Sequence, residues 1–323
     1  MTDIALIEAA AARMAGRIRR TPLLNAPLLD RIAGRRVFVK AECLQWTGSF
    51  KARGGWAAVS ALAAEVRARG VLAYSSGNHA QGVAWAAALH GVPAVIVMPS
   101  DAPTVKIANT RAYGAEVVLY DRATQDREAM GRALAEARGL SLIPPFDHAE
   151  VIAGQGTIGL ELAQQVAGAG IGAATVLTCC GGGGLTAGIA LALAARAPGL
   201  TVRPVEPEGF DDVARSLAEG RIQRNVRLTG SICDAVLTPQ PGDLTFPILK
   251  RLCGPGITVS DEQVLQAMVL AFQHLRIVVE PGGAVALAAA IFAPDLGEVV
   301  ICTASGGNVE PALFRSALDR FAA

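Results

Sequence analysis

TVLTCCGGGGLTAGIALALAA, running from Thr175 to Ala195, is the stretch that decides how this chain folds. Thr175–Thr178 is short, apolar and β-branched, the signature of a buried strand. Leu185–Ala195 is dominated by Ala and Leu, as a helix requires. Between them lie four consecutive glycines, Gly181–Gly184, with no side chains to keep an anion from the main-chain N–H groups of the turn and helix start. A flexible linker would not sit between two apolar elements that must pack closely. The stretch therefore reads as strand, anion-binding turn and helix.

The same alternation extends outward in both directions. Arg36–Lys40, Val71–Ser75, Ala94–Met98, Val117–Tyr120, Val202–Glu206 and Val299–Thr303 are further strand candidates. Gly54–Arg69, Ala80–His90, Arg127–Arg138, Thr157–Val166 and Asp261–Leu275 are the helical stretches. Such alternation predicts an α/β architecture with parallel-rich sheets flanked by helices. The Pro144-Pro145-Phe146-Asp147-His148 loop marks a seam, with a second compact unit between it and Lys51.

Composition narrows the partners. Hydrophobic residues are 52% of the 323 and charged residues 18%, which excludes an extended disordered segment. A net charge of +1, with Lys and Arg scattered, gives no field for nucleic acid, so a small molecule is the expected partner. The apolar runs are too short to span a membrane. The N-terminus shows no secretory pattern, and the cytoplasm is the expected location. Six cysteines without a CxxC pair read as free thiols in a reducing compartment.

Five further segments are candidates for chemistry. Thr47-Gly48-Ser49-Phe50-Lys51-Ala52-Arg53-Gly54 places Lys51 in or near the first turn of a helix, where the macrodipole favours the neutral amine a Schiff-base lysine needs. Ser75-Ser76-Gly77-Asn78-His79 follows a strand and opens a helix, a ready site for a carboxylate, although Ser76 or Asn78 reads equally as a helix cap and His79 as a hydrogen-bonded structural histidine. Glu206, Phe210 and Asp212 lie in a loop whose carboxylates and carbonyls suit a hard divalent ion, although an acidic solvated loop looks the same. Ser305-Gly306-Gly307-Asn308 ends the last strand, and Glu280-Pro281-Gly282-Gly283 forms another turn. The glycine turn also satisfies a dinucleotide fingerprint through Gly182, Gly184 and Ala187, with Glu206 about twenty residues on. A nicotinamide-dependent oxidoreductase thus stays open, but it leaves the Lys51 and Asn78 segments unused.

Taken in order, these segments resemble the fold type II pyridoxal-phosphate enzymes (tryptophan synthase β-like), most closely the serine/threonine dehydratase and serine racemase group. Met98-Pro99, Pro103 with Lys106, Tyr113-Gly114-Ala115 and Ile152–Thr157 extend the likeness over nearly the whole chain. The resemblance implies a large cofactor domain of residues 1–61 plus 144–323 and a small substrate-side domain of 62–143. It implies Lys51 as the Schiff-base lysine, Phe50 beside the pyridine ring, Asn78 at the phenolic oxygen, and Gly181, Gly182, Gly183, Gly184 and Leu185 around the phosphate. Ser305 would face the ring nitrogen; Ser75, Asn78 and His79 would hold the substrate carboxylate, and Ser76 would lie opposite Lys51. Glu206, the Phe210 carbonyl and Asp212 would hold magnesium, calcium or manganese. The implied activity is α,β-elimination from serine- or threonine-like β-hydroxy amino acids, with serine racemase or 3-hydroxyaspartate ammonia-lyase as alternatives and a non-catalytic cofactor-binding protein as a distant one. A dicarboxylic substrate would need an extra cation, for which Arg127 is a candidate. A homodimer is expected; with one helix beyond Asn308, a regulatory amino-acid-binding domain is not.

Overall fold

The computed structural model describes residues 2–75, 77–102, 104–227 and 229–322. Among the described residues ten strands form two sheets: β1 (Leu23–Leu24), β2 (Arg36–Lys40), β3 (Val71–Tyr74), β4 (Ala94–Pro99), β5 (Glu116–Tyr120), β6 (Ser141–Leu142), β7 (Ala174–Cys179), β8 (Leu200–Pro207), β9 (Ile257–Val259) and β10 (Val299–Thr303). The larger sheet has the order β1-β2-β10-β7-β8-β9 and the smaller β5-β4-β3-β6. All pairings are parallel except β1 with β2. The expected α/β class is what the chain adopts.

Parallel strands must be covered on both faces, and the pattern of the central strands shows it. On β7, Val176 belongs to the core beneath helix Gly184–Arg196, built with Leu185, Ile189 and Leu193. Its neighbour Leu177 belongs to the opposite core, formed with Ala284–Ile291 of helix Pro281–Phe292. Each such aliphatic side chain contributes roughly 1.5–3 kcal/mol by leaving water. The small sheet is drawn wholly from residues 71–142.

Two helices are held together at backbone distance, and this fixes the site. A Cβ on Gly82 would lie 2.7 Å from the Lys51 carbonyl, and one on Gly55 would lie 2.6 Å from the Gly82 carbonyl. Only glycine lets helix Lys51–Ala61 lie this close to helix Asn78–His90.

Several element bounds differ from the sequence pattern. The stretch Gly54–Arg69 is two helices, Lys51–Ala61 and Ala64–Ala68, because Leu62 leaves helical geometry and packs against the core. Helix Ala149–Gly168 is twice the length expected; its buried Gly154 and Gly156 weaken the helical signal while serving close packing. Asp261–Leu275 is an α-helix to Leu270, started by a Ser260–Gln263 capping box and followed by a π-helical turn over Ala271–Leu275. The strands at Leu23, Ser141 and Ile257 have two or three residues each, too few for periodicity to reveal.

Candidate active site

Lys51 opens its helix after a short 3₁₀ turn, Trp46–Gly48, in which Thr47 has the left-handed φ of 59°. Ser49 then pairs with Gly306 in an antiparallel bridge, and the Phe50 N–H donates to the Ser305 carbonyl at 3.0 Å. Two segments from opposite ends of the chain are thereby brought side by side. Lys51 and Ser305 line one cavity together with Phe50, Asn78, His79, the four glycines and Leu185. The half-buried Lys51 donates from Nζ to the Pro145 carbonyl at 2.6 Å. Burial, and then the positive charge of Arg127, push its amine down to about 7. A lysine so placed is substantially neutral, hence nucleophilic, near neutral pH.

The glycine turn crosses from β7 to helix Gly184–Arg196 on the opposite wall. Gly183 has φ +91°, and a Cβ on Gly182 would collide with the ring of Phe146. The Gly182 carbonyl is taken by Thr245 Oγ1 at 2.7 Å and the Gly242 N–H at 3.2 Å. Among the described residues, no N–H of Gly181, Gly182 or Gly183 donates to a main-chain carbonyl. Free donors at a helix start, lining a cavity, suit a phosphate.

From the small sheet, the loop after β3 brings Ser75, Asn78 and His79 to the same cavity; Ser76 lies outside the described residues. Ser75 Oγ accepts from the Gly77 N–H at 3.1 Å. Burial, reinforced by Lys51, pushes His79 down to about 3, so its ring is neutral. His79 Nε2 lies 2.9 Å from the Ile143 carbonyl, which only accepts, so the ring proton sits there and Nδ1 is a bare lone pair. That ring offers a carboxylate no donor; what His79 brings is its main-chain N–H in the first turn of helix Asn78–His90.

Arg127, the candidate extra cation, also lines the cavity. So do Lys106, Gln155, Phe146 and Asp234, to which the sequence assigned no role in the chemistry. Buried polar atoms there lack partners: both ends of the Gln155 amide and His79 Nδ1, with Ser49 Oγ unpartnered just before Phe50. Such orphans beside a glycine turn fit a polar, phosphate-bearing group. The Pro-Pro-Phe seam was a visible signal for Phe146; Gln155 and Lys106 stood within segments that carry the family resemblance, but their helical surroundings pointed to no role.

The acidic loop lies apart from this cavity. Glu206 is buried and accepts from the N–H groups of Val213 (2.9 Å) and Ala214 (2.7 Å). Asp212 Oδ1 accepts from Asn225 Nδ2 at 2.6 Å, while its buried Oδ2 has no partner. Burial, with Asp212 adding repulsion, raises Glu206 well above the usual carboxylate range, and burial pushes Asp212 up to about 7. Phe210 is buried beside them. Among the described residues no three His, Cys, Asp or Glu side chains gather as a metal-binding group.

Residues 14–306 match the family described as pyridoxal-phosphate dependent enzyme. The chain is 43% identical over 311 residues to L-threo-3-hydroxyaspartate ammonia-lyase of a Pseudomonas species, covering 96% of each. Among solved structures, a threonine deaminase from T.th. superposes with a TM-score of 0.90 at 47% identity, over 95% of this chain and 99% of that one. Maize serine racemase superposes with a TM-score of 0.91 at 36% identity, over 99% and 97%.

Proposed function

We propose, because this chain belongs to the pyridoxal-phosphate-dependent enzyme family, that it is an ammonia-lyase for β-hydroxy amino acids whose preferred substrate carries a second carboxylate, as 3-hydroxyaspartate does. The observation carrying this reading is Arg127, a cation lining the cavity of Lys51 and close enough to depress its amine. Once its α-carboxylate is held, serine or threonine has only a neutral hydroxyl to offer that guanidinium, whereas a distal carboxylate can pair with it in a bidentate manner. The family assignment leaves the nicotinamide reading of the glycine turn without support.

Bound pyridoxal phosphate supplies an electron-withdrawing ring that acidifies the substrate α-carbon. The N–H groups of Gly181–Gly184 and Leu185, at the helix start, would hold its phosphate, with Phe50 beside the ring and Ser305 as a weak neutral partner for its nitrogen. Lys51 Nζ, kept neutral by burial, takes the α-proton. Ser75 and the main-chain N–H groups of Asn78 and His79 hold the α-carboxylate, which leaves the Asn78 side chain for the cofactor's ring oxygen. The β-hydroxyl leaves as water, and the released enamine tautomerises to an imine that a second water hydrolyses to a 2-oxo acid and ammonia.

The test is a comparison of ammonia release from L-threo-3-hydroxyaspartate, L-threonine and L-serine by the cofactor-loaded protein. The expected result is the highest kcat/KM with hydroxyaspartate. Turnover of serine or threonine with none of hydroxyaspartate would overturn the proposal.

Three further assignments belong to it. Glu206, the Phe210 carbonyl and Asp212 hold a divalent cation; the unpartnered Asp212 Oδ2 and two buried carboxylates that repel one another support this. Magnesium is then expected to raise the Tm, and Asp212→Asn to remove that rise; a Tm indifferent to magnesium and chelator counts against it. Residues 62–143 form a small domain against 1–61 plus 144–323, supported by the confinement of the small sheet to 71–142. A cytoplasmic homodimer is the state proposed: six free cysteines support the compartment, and among the described residues no helix is long and apolar enough to cross a membrane.

A further inference from the structure

Behind the cavity wall runs a chain of side chains with a fixed direction. It starts at the Thr47 carbonyl, which can only accept. Asn308 Nδ2 donates to it at 2.8 Å, so the nitrogen end of that amide is assigned by its partner and not by choice. The same Nδ2 donates at 2.8 Å to Asn78 Oδ1. The oxygen of Asn78 is therefore spoken for, and its Nδ2 points the other way, donating to Glu280 Oε1. Glu280 is buried, and Lys106 lies 3.8 Å from its second oxygen and 3.4 Å from Asp234. The chain thus runs from one acceptor-only group, a carbonyl, to another, a carboxylate whose charge a buried lysine offsets.

The fold makes room for this chain at two glycines. A Cβ on Gly48 would lie 2.6 Å from Asn308 Oδ1, and one on Gly306 would collide with Glu280 Oε1. The Glu280 N–H donates to the Gly306 carbonyl at 2.9 Å, which ties the carboxylate to the segment carrying Ser305. Neither Glu280 nor Asn308 lines the cavity, whereas Asn78 and Lys106 do. Two of the four therefore act only through their neighbours.

We propose that Glu280 and Asn308 are positioning residues that lock the Asn78 amide, so that its second Nδ2–H, and never Oδ1, is presented to the cofactor's ring oxygen. An amide left to rotate offers either a donor or an acceptor. A donor stabilises an ionised oxygen, and an acceptor stabilises its protonated form. The lock thereby sets the protonation of the bound chromophore independently of which substrate is used.

Absorption spectra and cofactor release from the pyridoxal-phosphate-loaded protein test this without relying on activity. In Asn308→Ala and Glu280→Ala the visible band is expected to lose intensity to the near-ultraviolet band, with cofactor leaving ~10-fold faster. Glu280→Gln, whose amide oxygen still accepts from Asn78, is expected to keep the parent spectrum. Asn308→Asp is isosteric but replaces the donor facing both the Thr47 carbonyl and Asn78 Oδ1 with an acceptor; it is expected to turn the Asn78 amide and give the largest spectral shift. Parent-like spectra in Asn308→Asp and Glu280→Ala would overturn the proposal. So would a shift in Glu280→Gln equal to that in Glu280→Ala, which would make charge and not hydrogen-bond direction the operative feature.

Discussion

Lys51, half-buried on the cavity wall, and Arg53, fully buried, stand two residues apart on one helix, and the structure treats them in opposite ways. Arg53 meets Glu42 through Nε and Nη2 (2.8 Å each), Glu161 through Nη1 (2.8 Å) and Nη2 (3.0 Å), and Thr157 at 3.1 Å. Lys40 completes the cluster by bonding Glu161 and the Thr21 carbonyl. Burial alone would lower Arg53, but the two carboxylates overrule it and hold the guanidinium charged. Burial would likewise raise Glu42, and Arg53 with Lys40 overrules that in turn, leaving it depressed. Lys51 has one carbonyl, no carboxylate and a facing cation, so burial wins and its amine falls to about 7. Withdrawal from water makes a permanent charge where partners saturate it and a titrating nucleophile where they do not.

The largest effect follows from removing the unsaturated member. Lys51→Ala is expected to lower turnover by roughly 10⁴-fold and to abolish reductive trapping of the cofactor by borohydride, with little change in Tm. A variant that still traps at full stoichiometry would break the contrast on its functional side. On the other side, Arg53→Met leaves Glu42 buried without its main partner. It is expected to cost about 3–5 kcal/mol, read as a shift in denaturant midpoint. A midpoint within error of the parent would show that the saturated cluster is not what anchors this helix.

How far the sequence reveals this contrast is instructive. Lys51 was legible because helix-start position and turn chemistry lie within eight residues of it. Gly181–Gly184 was legible for the same reason, as were the central strands, whose apolar runs are long enough to register. Arg53 was visible only as part of a motif, since its partners Glu42 and Glu161 come from a 3₁₀ turn and a distant helix that nothing local connects. Glu280 and Asn308 were seen as turn residues; their shared partner Asn78 lies more than 200 positions away. The neutral state of His79 depends on the Ile143 carbonyl, again a tertiary contact. Local chemistry was readable, and whatever depended on which segments the two sheets bring together was not.

Arg127 sharpens the comparison because it is a cation of neither kind. It lines the cavity, lies with its guanidinium 5.7 Å from the centroid of the Tyr74 ring, and disfavours the charged form of Lys51. If it waits for a substrate carboxylate, Arg127→Met is expected to lower kcat/KM for L-threo-3-hydroxyaspartate by about 10- to 100-fold while leaving serine within a few-fold. Equal losses on both substrates would instead assign Arg127 to the common machinery of the cavity.

The gentlest test reads the lysine directly, in the cofactor-free protein. Capture of pyridoxal phosphate needs the unprotonated amine, so its rate follows the fraction of Lys51 that has lost its proton. A free lysine would keep gaining rate until its ordinary value of 10.5. With the amine pushed down to about 7, the rate should climb about tenfold per pH unit below that point and level off above it. Arg127→Met removes the lesser of the two causes, so the break should move upward yet stay below the ordinary lysine value, because burial persists. A capture rate that rises without a break to about pH 10 in the parent would mean that Lys51 is no less solvated than a surface lysine. The opposition between the two neighbouring cations would then have no physical basis.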